Sequence, residues 1–428
     1  MSQPAPVRAV KGMKDVLWPE SYRWEVFVEI FARTVQRAGY GLVLSPLVEE
    51  VRLFQRGIGD HSEVVTKEMY ELSDRDGRRL ALRPEGTAPV VRVFVEHRPT
   101  VPWKVWYATP AFRYERPQAG RYREHHQVGV EVIGSDDPDL DVEVVALADS
   151  FYKELGLGHV ALAVNSMGCG ACRAIYVDAL RAYLIDHRDE LRDEHAQRLD
   201  RPLRVLDCKD PACRAVTEKA PRLIDFLDED CKEHFERFTQ GLSALGIEHH
   251  LDPRLVRGFD YYTRTTFEFA ATELHSAQNA IGGGGRYDAL VEQVGGPAEP
   301  GIGFAIGIER VLLACDAEGC FEVSPPGLDA FVVDLTGGAA ARDICHELRQ
   351  AGASVDRAFG NRSLRAGLRL AHRSGARAAI IVGADELQAG EVTLRDLRSE
   401  GSQERVPRSE LARALVALAQ RSGEHPRS

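Results

Sequence analysis

No apolar run in this sequence approaches the roughly 18 residues that a bilayer-spanning helix needs. The opening stretch MSQPAPVRAVKGMKD lacks the apolar segment of a secretory signal. Low-complexity and collagen-like tracts are absent too, which excludes a mainly disordered or fibrous protein. Cysteine is scarce: eight in 428 residues do not make a disulfide scaffold. A basic excess is also missing, since the net charge is −11, so the chain is not a globally basic nucleic-acid binder. What is left is a soluble globular chain, expected in the cytoplasm and without a membrane partner. Its hydrophobic residues, 44% of the total, can fill a large core. Its length suits roughly three domains of about 150 residues each.

Lysine is absent from residue 329 onward, yet this segment is the more basic part. It holds 15 Arg against 13 Asp/Glu, about +2, so the part before it carries −13. Residues 357–377 contain six arginines and no acid. Arg362, Arg365, Arg369 and Arg373 recur at spacings of three and four, along one face of a predicted helix. Such a stripe serves either as a solvated surface or as a face for phosphates.

Trp24, Phe27, Val28, Phe31 and Val35 predict a helix over 21–38, with Gly39 as its stop. GLVLSPLVEE reads as a short strand interrupted at Pro46. RRLALRP leads into a helix near Thr87, and KVWYATPAFRYE faces HHQVGVEVIG across the loop RPQAGRYR. Hairpins with period-2 alternation predict an antiparallel sheet rather than a doubly wound one. Residues 166–251 turn rich in Leu, Arg, Asp and Glu at helical spacing, as a helical insertion would, and strand-like text resumes at Arg257. SPPG at 324–327 reads as a linker, and beyond it β and α elements alternate. The expected fold is therefore α+β. A sheet domain is assembled from 1–165 and 252–325, interrupted by the insertion at 166–251, and followed by an α/β domain at 329–421.

The hairpin around residues 105–134 carries the densest chemistry. Val128, Val130 and Val132 share one face of its second strand, and Gln127, Gly129 and Glu131 share the other. An amide and a carboxylate flanking a glycine make a floor for a small polar ligand. Arg113 precedes a loop bearing Arg116, Arg121 and Arg123, and arginine's planar fork suits phosphate oxygens. A solvated amphipathic hairpin has the same pattern. Thr87 reads as the N-cap of the following helix. Of Tyr261 and Tyr262, which adjoin alternating Thr and Phe, one is expected in the core. Arg257 and Tyr262 fall on opposite faces of an ideal strand unless a turn or bulge intervenes at Gly258. The glycines at 282–285 lack a Walker ending, and Gly301, Gly303 and Gly307 match a dinucleotide fingerprint only loosely. Glycines in adjacent strands instead let a ligand approach the backbone. Cys169-Gly-Ala-Cys172 and the pair Cys208, Cys213 have spacings that one structural zinc could use, with Cys231 in reserve. Reduced, partly buried cysteines are the alternative.

FRYERPQAGRYREHHQ resembles motif 2 of class II aminoacyl-tRNA synthetases, GIGFAIGIERVLL resembles motif 3, and GYGLVLSPLVEE resembles motif 1. LVRGFDYYTRTTFEF and IGGGGRYDALVE narrow the resemblance to the histidyl-tRNA synthetases, along nearly the whole chain. This resemblance implies a class II antiparallel sheet flanked by helices and a C-terminal α/β anticodon-binding domain. It also implies ATP-dependent ligation of L-histidine to its tRNA through a histidyl-adenylate, with AMP and diphosphate released, Mg2+ assisting, and a homodimer built on motif 1. Site roles follow from it residue by residue. Arg113 would grip the α-phosphate of ATP, Arg121 the outer phosphates, and Arg310 the triphosphate from the other side. Arg257 would bridge the histidine carboxylate and the α-phosphate, so Arg113 and Arg257 also bound the histidine site. Glu85, Thr87 and Gln127 would bind the α-ammonium, Glu131 and Tyr262 the imidazole, and Tyr261 would wall the pocket. Arg116 and Gln118 would meet the tRNA acceptor end, and the arginine stripe its anticodon stem and loop. Two rival readings remain. A non-catalytic paralogue, such as the regulatory subunit of ATP phosphoribosyltransferase, shares the fold but generally lacks the anticodon-binding domain and erodes the catalytic motifs. A synthetase for proline or threonine is opposed by RGFDYYTRTTFEF.

Overall fold

The computed structural model describes residues 5–59, 62–196, 199–206, 208, 210–256, 259, 261–274, 279–360, 362–398 and 402–421. The chain divides into two compact units, Met1–Val323 and Ser324–Ser428. The first is built on an eight-stranded sheet: β1 Gly41–Leu42, β2 Trp103–Phe112, β3 Glu124–Ile133, β4 Val160–Ser166, β5 His250–Leu251, β6 Thr263–Ala271, β7 Ala280–Arg286 and β8 Gly301–Gly307. Their spatial order is β1-β2-β3-β8-β7-β6-β4-β5. Only the edge pairs β1–β2 and β4–β5 run parallel, and the rest is antiparallel.

The β2–β3 ladder runs unbroken from Trp103 opposite Ile133 to Phe112 opposite Glu124. This register turns Val128, Val130 and Val132 inward, where all three are fully buried. They pack in one core with Phe27 and Phe31 of the helix Glu20–Gln36 and Phe151 of the helix Pro138–Glu154. Phe27 and Phe31 both meet Phe151 edge-on. Each such side chain removed from water contributes about 1.5–3 kcal/mol, and a one-residue slip would expose the whole set. The same register leaves Gln127, Gly129 and Glu131 on the opposite face.

Two expectations change in detail. GLVLSPLVEE is not one interrupted strand. Gly41–Leu42 joins the large sheet, whereas Val48–Glu50 pairs with Arg79–Leu82 in a separate three-stranded sheet completed by Tyr70–Ser73. The glycine run at 282–285 lies within strand β7 rather than a phosphate loop. A Cβ at Gly284 would strike the Gly303 carbonyl oxygen on β8, so the glycine permits two backbones to close on each other. Arg286 then leaves this strand fully buried. It pairs with Asp141 and donates to the carbonyls of Ser135 and Asp137 at 3.0 and 3.1 Å, pinning the start of the helix Pro138–Glu154.

Between β4 and β5, the described residues form helices and turns. The longest are Gly170–Asp186 and Glu229–Ala244. Tyr176, Leu180, Leu184, Val205, Cys213, Val216 and Leu223 form a core separate from that of the large sheet. In the second unit, β9 Ala330–Asp334, β10 Val355–Arg357, β11 Ala378–Val382, β12 Glu391–Asp396 and β13 Gln403–Pro407 are ordered β10-β9-β11-β12-β13. The first two pairings are parallel and the last two antiparallel, so the predicted βαβ pattern ends in an antiparallel extension. The helix Leu364–Arg373 carries Arg365, Arg369 and Arg373 exposed, with Arg362 exposed just before it. Among the described residues, no helix is long and apolar enough to cross a membrane.

Candidate active site

A cavity of about 420 Å³ lies on the polar face of the large sheet, lined by β3, β6, β7 and β8, the loop after Phe112 and the start of the helix Thr87–His97. Behind Thr87 and Tyr287, which line one end, stands Glu131, fully buried and not itself part of the lining. Its Oε1 accepts from the Thr87 hydroxyl at 2.7 Å and from the Tyr107 hydroxyl at 3.4 Å. Its Oε2 accepts from the Tyr287 hydroxyl at 2.6 Å. Burial pushes its carboxyl up to about 8, with Glu85 adding to the rise and the Tyr287 and Thr87 hydrogen bonds opposing it. A Cβ at Gly303 would collide with Glu131 Oε2, so the neighbouring strand needs a glycine there.

Thr87 is not the N-cap. Gly86 holds that position without a side-chain bond, and the capping acceptor is Glu85. Its carboxylate accepts from the backbone N–H of Thr87 at 2.5 Å and of Ala88 at 2.8 Å. A carboxylate satisfies two of the helix's unpaired N–H groups at once and opposes its dipole, which frees the Thr87 hydroxyl for Glu131. Burial raises the pKa of Glu85, against those two N–H bonds and the charge of Arg113. Gln127 lines the same end, and its Oε1 is buried with no hydrogen-bond partner. Such an acceptor awaits a donor.

Tyr261 and Tyr262 both line the cavity and are both buried, with ring centroids 4.7 Å apart. The expected division into one core and one pocket tyrosine is therefore not seen. Both precede β6, which begins at Thr263, so strand parity does not govern them. Arg257 and Gly258 lie outside the described residues.

The other end is cationic. Arg113 Nε donates to the Pro84 carbonyl at 2.9 Å, with its guanidinium 5.5 Å from the Phe259 ring centroid. Arg310 donates to the carbonyls of Gly120 and Ala280, both at 3.0 Å, tying the arginine loop to β7. Burial and the neighbouring Arg121 and Arg113 lower its pKa, though a guanidinium stays protonated. Arg121 pairs with Glu115 of its own loop. Reciprocal backbone bonds between Gln118 and Arg121, at 3.0 and 2.9 Å, close the loop's tip, with Gly120 in the left-handed region at φ +70°. Arg116 and Gln118 are exposed and outside the cavity lining. Burial, then Arg113 and Arg310, drive the His125 pKa well below its ordinary value, leaving a neutral imidazole among the arginines.

Sequence reasoning missed Tyr107, Tyr287 and His125. Tyr107 had a signal: it pairs across the ladder with Gly129, whose missing side chain leaves room for the phenol ring. The four cysteines expected around one zinc are not together. Cys169 and Cys172 meet Asp228 and Cys231, whereas Cys208 and Cys213 meet His195. Spacing within each pair was compatible with a site, but the fold sends the pairs to different partners.

Residues 12–311 match the family model described as histidyl-tRNA synthetase, and residues 329–418 match the one described as anticodon binding domain. A curated relative, the histidine–tRNA ligase of Moorella thermoacetica, is 48% identical over 406 residues, spanning 93% of this chain and 95% of that one. The crystal structure of apo S. aureus histidyl-tRNA synthetase has a TM-score of 0.80 at 33% identity, covering 96% of this chain and 100% of its own. A structure titled ATP phosphoribosyltransferase regulatory subunit/histidyl-tRNA synthetase, from Bacillus halodurans, has a TM-score of 0.65 at 21% identity, covering 89% and 100%; this is a likeness of fold alone.

Proposed function

The chain belongs to the histidyl-tRNA synthetase family, and from that premise we propose how its residues share the work. The reaction is the ATP-dependent ligation of L-histidine to its tRNA. One observation carries the assignment of roles: a single cavity joins a buried acid–hydroxyl end to an arginine end. The α-ammonium of histidine binds Glu85, Thr87 and the unpaired Gln127 Oε1. The imidazole lies between Glu131 and Tyr262, walled by Tyr261. A competitor lacking ring nitrogens leaves these groups unpaired, which is the strong form of discrimination.

At the junction, a histidine carboxylate oxygen attacks the α-phosphorus of ATP and the bond to the bridging oxygen breaks, releasing diphosphate. A ribose hydroxyl of the tRNA then attacks the adenylate carbonyl and AMP leaves. The first step brings two anions together and spreads charge over the non-bridging oxygens. Fixed cations lower that barrier with little reorganisation. Arg113 grips the α-phosphate and Arg310 the triphosphate. Arg121 exchanges Glu115 for the outer phosphates. Arg257 bridges carboxylate and phosphate, a role that rests on the family resemblance. The family uses Mg2+ with ATP, and Glu268 and Glu309 at this end are the hard oxygen donors such an ion takes. It would neutralise phosphate charge there.

Around the site, Arg116 and Gln118 meet the acceptor end of the tRNA, and the arginines flanking and on Leu364–Arg373 meet its anticodon stem and loop. The working unit is a homodimer in the cytoplasm, with domains divided at 1–165, 166–251, 252–325 and 329–421. The helix Glu20–Gln36 commits Phe27, Phe31 and Val35 to its own core, but Leu42 and Leu44 at the sheet edge are 52% and 79% exposed. A twofold contact would cover them. Light scattering should give twice the 47.4 kDa chain mass, and a stable monomer at micromolar concentration would remove the dimer.

ATP–pyrophosphate exchange across the twenty amino acids tests the whole reading. Histidine alone should support it. A regulatory paralogue would support none, and that alternative has less behind it, given the anticodon-domain match and the ligase relatives.

A further inference from the structure

The helical insertion leaves the large sheet at β4 and returns at β5, and the helices at its two ends begin side by side. Gly170–Asp186 has Cys169 at its N-cap and Cys172 in its first turn. Glu229–Ala244 has Asp228 at its N-cap and Cys231 in its first turn. Each helix thus presents one ligand-type side chain at its N-cap and another three residues on, and the two pairs face each other. The Sγ atoms of Cys169, Cys172 and Cys231 and a carboxylate oxygen of Asp228 all lie within 4.8 Å of one another. Cys169 Sγ is 3.5 Å from Cys172 Sγ and 3.2 Å from Asp228 Oδ2. A tetrahedron with metal–sulfur bonds of about 2.3 Å has sulfur–sulfur edges of about 3.8 Å, so little movement separates this cluster from a coordination shell.

We propose that Cys169, Cys172, Asp228 and Cys231 form a zinc site that clamps the two ends of the helical insertion. Three thiolates and one carboxylate are donors for zinc rather than for calcium or magnesium, which want oxygen alone. Binding displaces the three thiol protons and leaves a site of net charge −2. Two helix N-termini face that charge: the Asp228 N–H donates to Cys172 Sγ at 3.1 Å, and the Cys231 N–H donates to Asp228 Oδ1 at 2.8 Å. The chain before Cys169 is shaped for the close approach. Gly168 adopts φ +59°, and a Cβ there would lie 2.7 Å from Cys172 Cβ. A Cys169–Cys172 disulfide is the competing use of this motif, but it does not account for the Cys231 thiol beside them, and every cysteine here is a free thiol.

The clamp adjoins the amino-acid pocket. Gly168 O accepts from the Arg264 N–H at 2.9 Å, and Arg173 donates to the Tyr262 carbonyl at 3.2 Å. The ion therefore fixes the backbone behind Tyr262 as well as the neck of the insertion.

The full-length protein, expressed with zinc and purified without chelator, should carry about one zinc per chain by elemental analysis. Asp228 is exposed, so Asp228→Ala should fold and lose most of the metal on gel filtration. Cys231→Ser should lose it entirely, whereas Cys213→Ser should keep it. Cobalt substituted for zinc should show thiolate charge-transfer and tetrahedral ligand-field bands, absent in Cys231→Ser. The proposal is overturned if the wild-type chain binds neither zinc nor cobalt. It is equally overturned if non-reducing peptide mapping finds Cys169 bonded to Cys172, or if Cys213→Ser rather than Cys231→Ser abolishes binding, which would move the ion to His195, Cys208 and Cys213.

Discussion

At the acid–hydroxyl end of the cavity, the polar groups are buried and, Gln127 Oε1 apart, already bonded to one another; at the arginine end, they are longer, charged and held by backbone carbonyls or by acids of their own loop. Glu131 is gripped by Thr87, Tyr107 and Tyr287 before any ligand arrives. Arg310 rests on two carbonyls and Arg121 on Glu115. The difference separates two tasks. Selecting histidine needs fixed, desolvated partners that a wrong side chain leaves unpaired. Joining two anions needs positive charge placed beforehand. Breaking the cationic end should therefore cost rate for the correct substrate, while breaking the acidic end should cost choice of substrate.

The largest effect is expected at the cationic end. Arg113→Ala should lower histidine-dependent pyrophosphate exchange about 10²–10³-fold, as loss of a preorganised group at developing charge does. Arg257→Ala should match it, with its melting curve unchanged. Lysine at either position should recover little, because a point charge cannot span two oxygens as a fork does. Near-normal exchange in Arg257→Ala would strip that residue of its role.

At the acidic end, Glu131→Gln should lower kcat/KM for histidine about 5–150-fold, the range set by about 1–3 kcal/mol for a mispaired buried group. The variant also has a pH signature. Burial raises this carboxyl from 4.5 to about 8, so the folded chain holds the proton more tightly than the unfolded one. The resulting stability is complete at acid pH and is lost as pH rises from about 4.5 through about 8. Glutamine does not ionise. Between about pH 5 and pH 8.5, the melting temperature of Glu131→Gln should rise relative to wild type, and at about 1.4 kcal/mol per pKa unit the swing amounts to a few kcal/mol. Some slope will persist, because Glu85 is shifted the same way. A constant difference across that range would mean that Glu131 is not the titrating group.

How much of this was legible in the sequence follows the range of the physics involved. The two faces of β3 were readable because strand parity is local: Val128, Val130 and Val132 went to the core, Gln127 to the cavity and Glu131 to a buried place behind the cavity lining. Thr87 was misread because N-cap preference is a statistic of single residues, and Glu85 two positions earlier carries a longer arm with two acceptors. Tyr287, between Arg286 and Asp288, was missed because nothing local points to its partner: Glu131 lies 156 residues earlier and meets its hydroxyl only in the fold. The cysteines failed for the same reason at longer range: the Asp228–Cys231 turn reaches Cys169 only once the insertion has folded back on itself.

Outside the cavity, effects should shrink and move to the second step. Arg116 and Gln118 are exposed on the loop whose tip Gln118 and Arg121 close. Arg116→Ala and Gln118→Ala should leave pyrophosphate exchange intact and slow transfer to tRNA several-fold. The Arg116 defect should fade as salt rises, because its contribution is charge. The Gln118 defect should depend on the identity of the terminal base pair rather than on salt. Equal losses in exchange and aminoacylation would place the loop in ATP binding instead.

The smallest effect is expected farthest from the chemistry. Arg365 and Arg369 are exposed one turn apart on the helix Leu364–Arg373, which packs down through Gly367: a Cβ there would collide with Val333 of β9. The helix therefore sits tight against its sheet while its arginines stay free to meet phosphates, and replacing them removes charge without disturbing the core. Arg365→Ala with Arg369→Ala should leave the melting temperature and pyrophosphate exchange unchanged and raise KM for tRNA a few-fold. Each lost contact to a single-stranded phosphate should flatten the plot of log affinity against log salt by about 0.7. The double variant should thus bind tRNA with a shallower salt slope and converge on wild type at high salt. That convergence separates phosphate contact from base reading, which would lower affinity by the same factor at every salt concentration. An unchanged slope with unchanged KM would leave these arginines a solvated surface, and the charge that recognises tRNA would have to lie elsewhere.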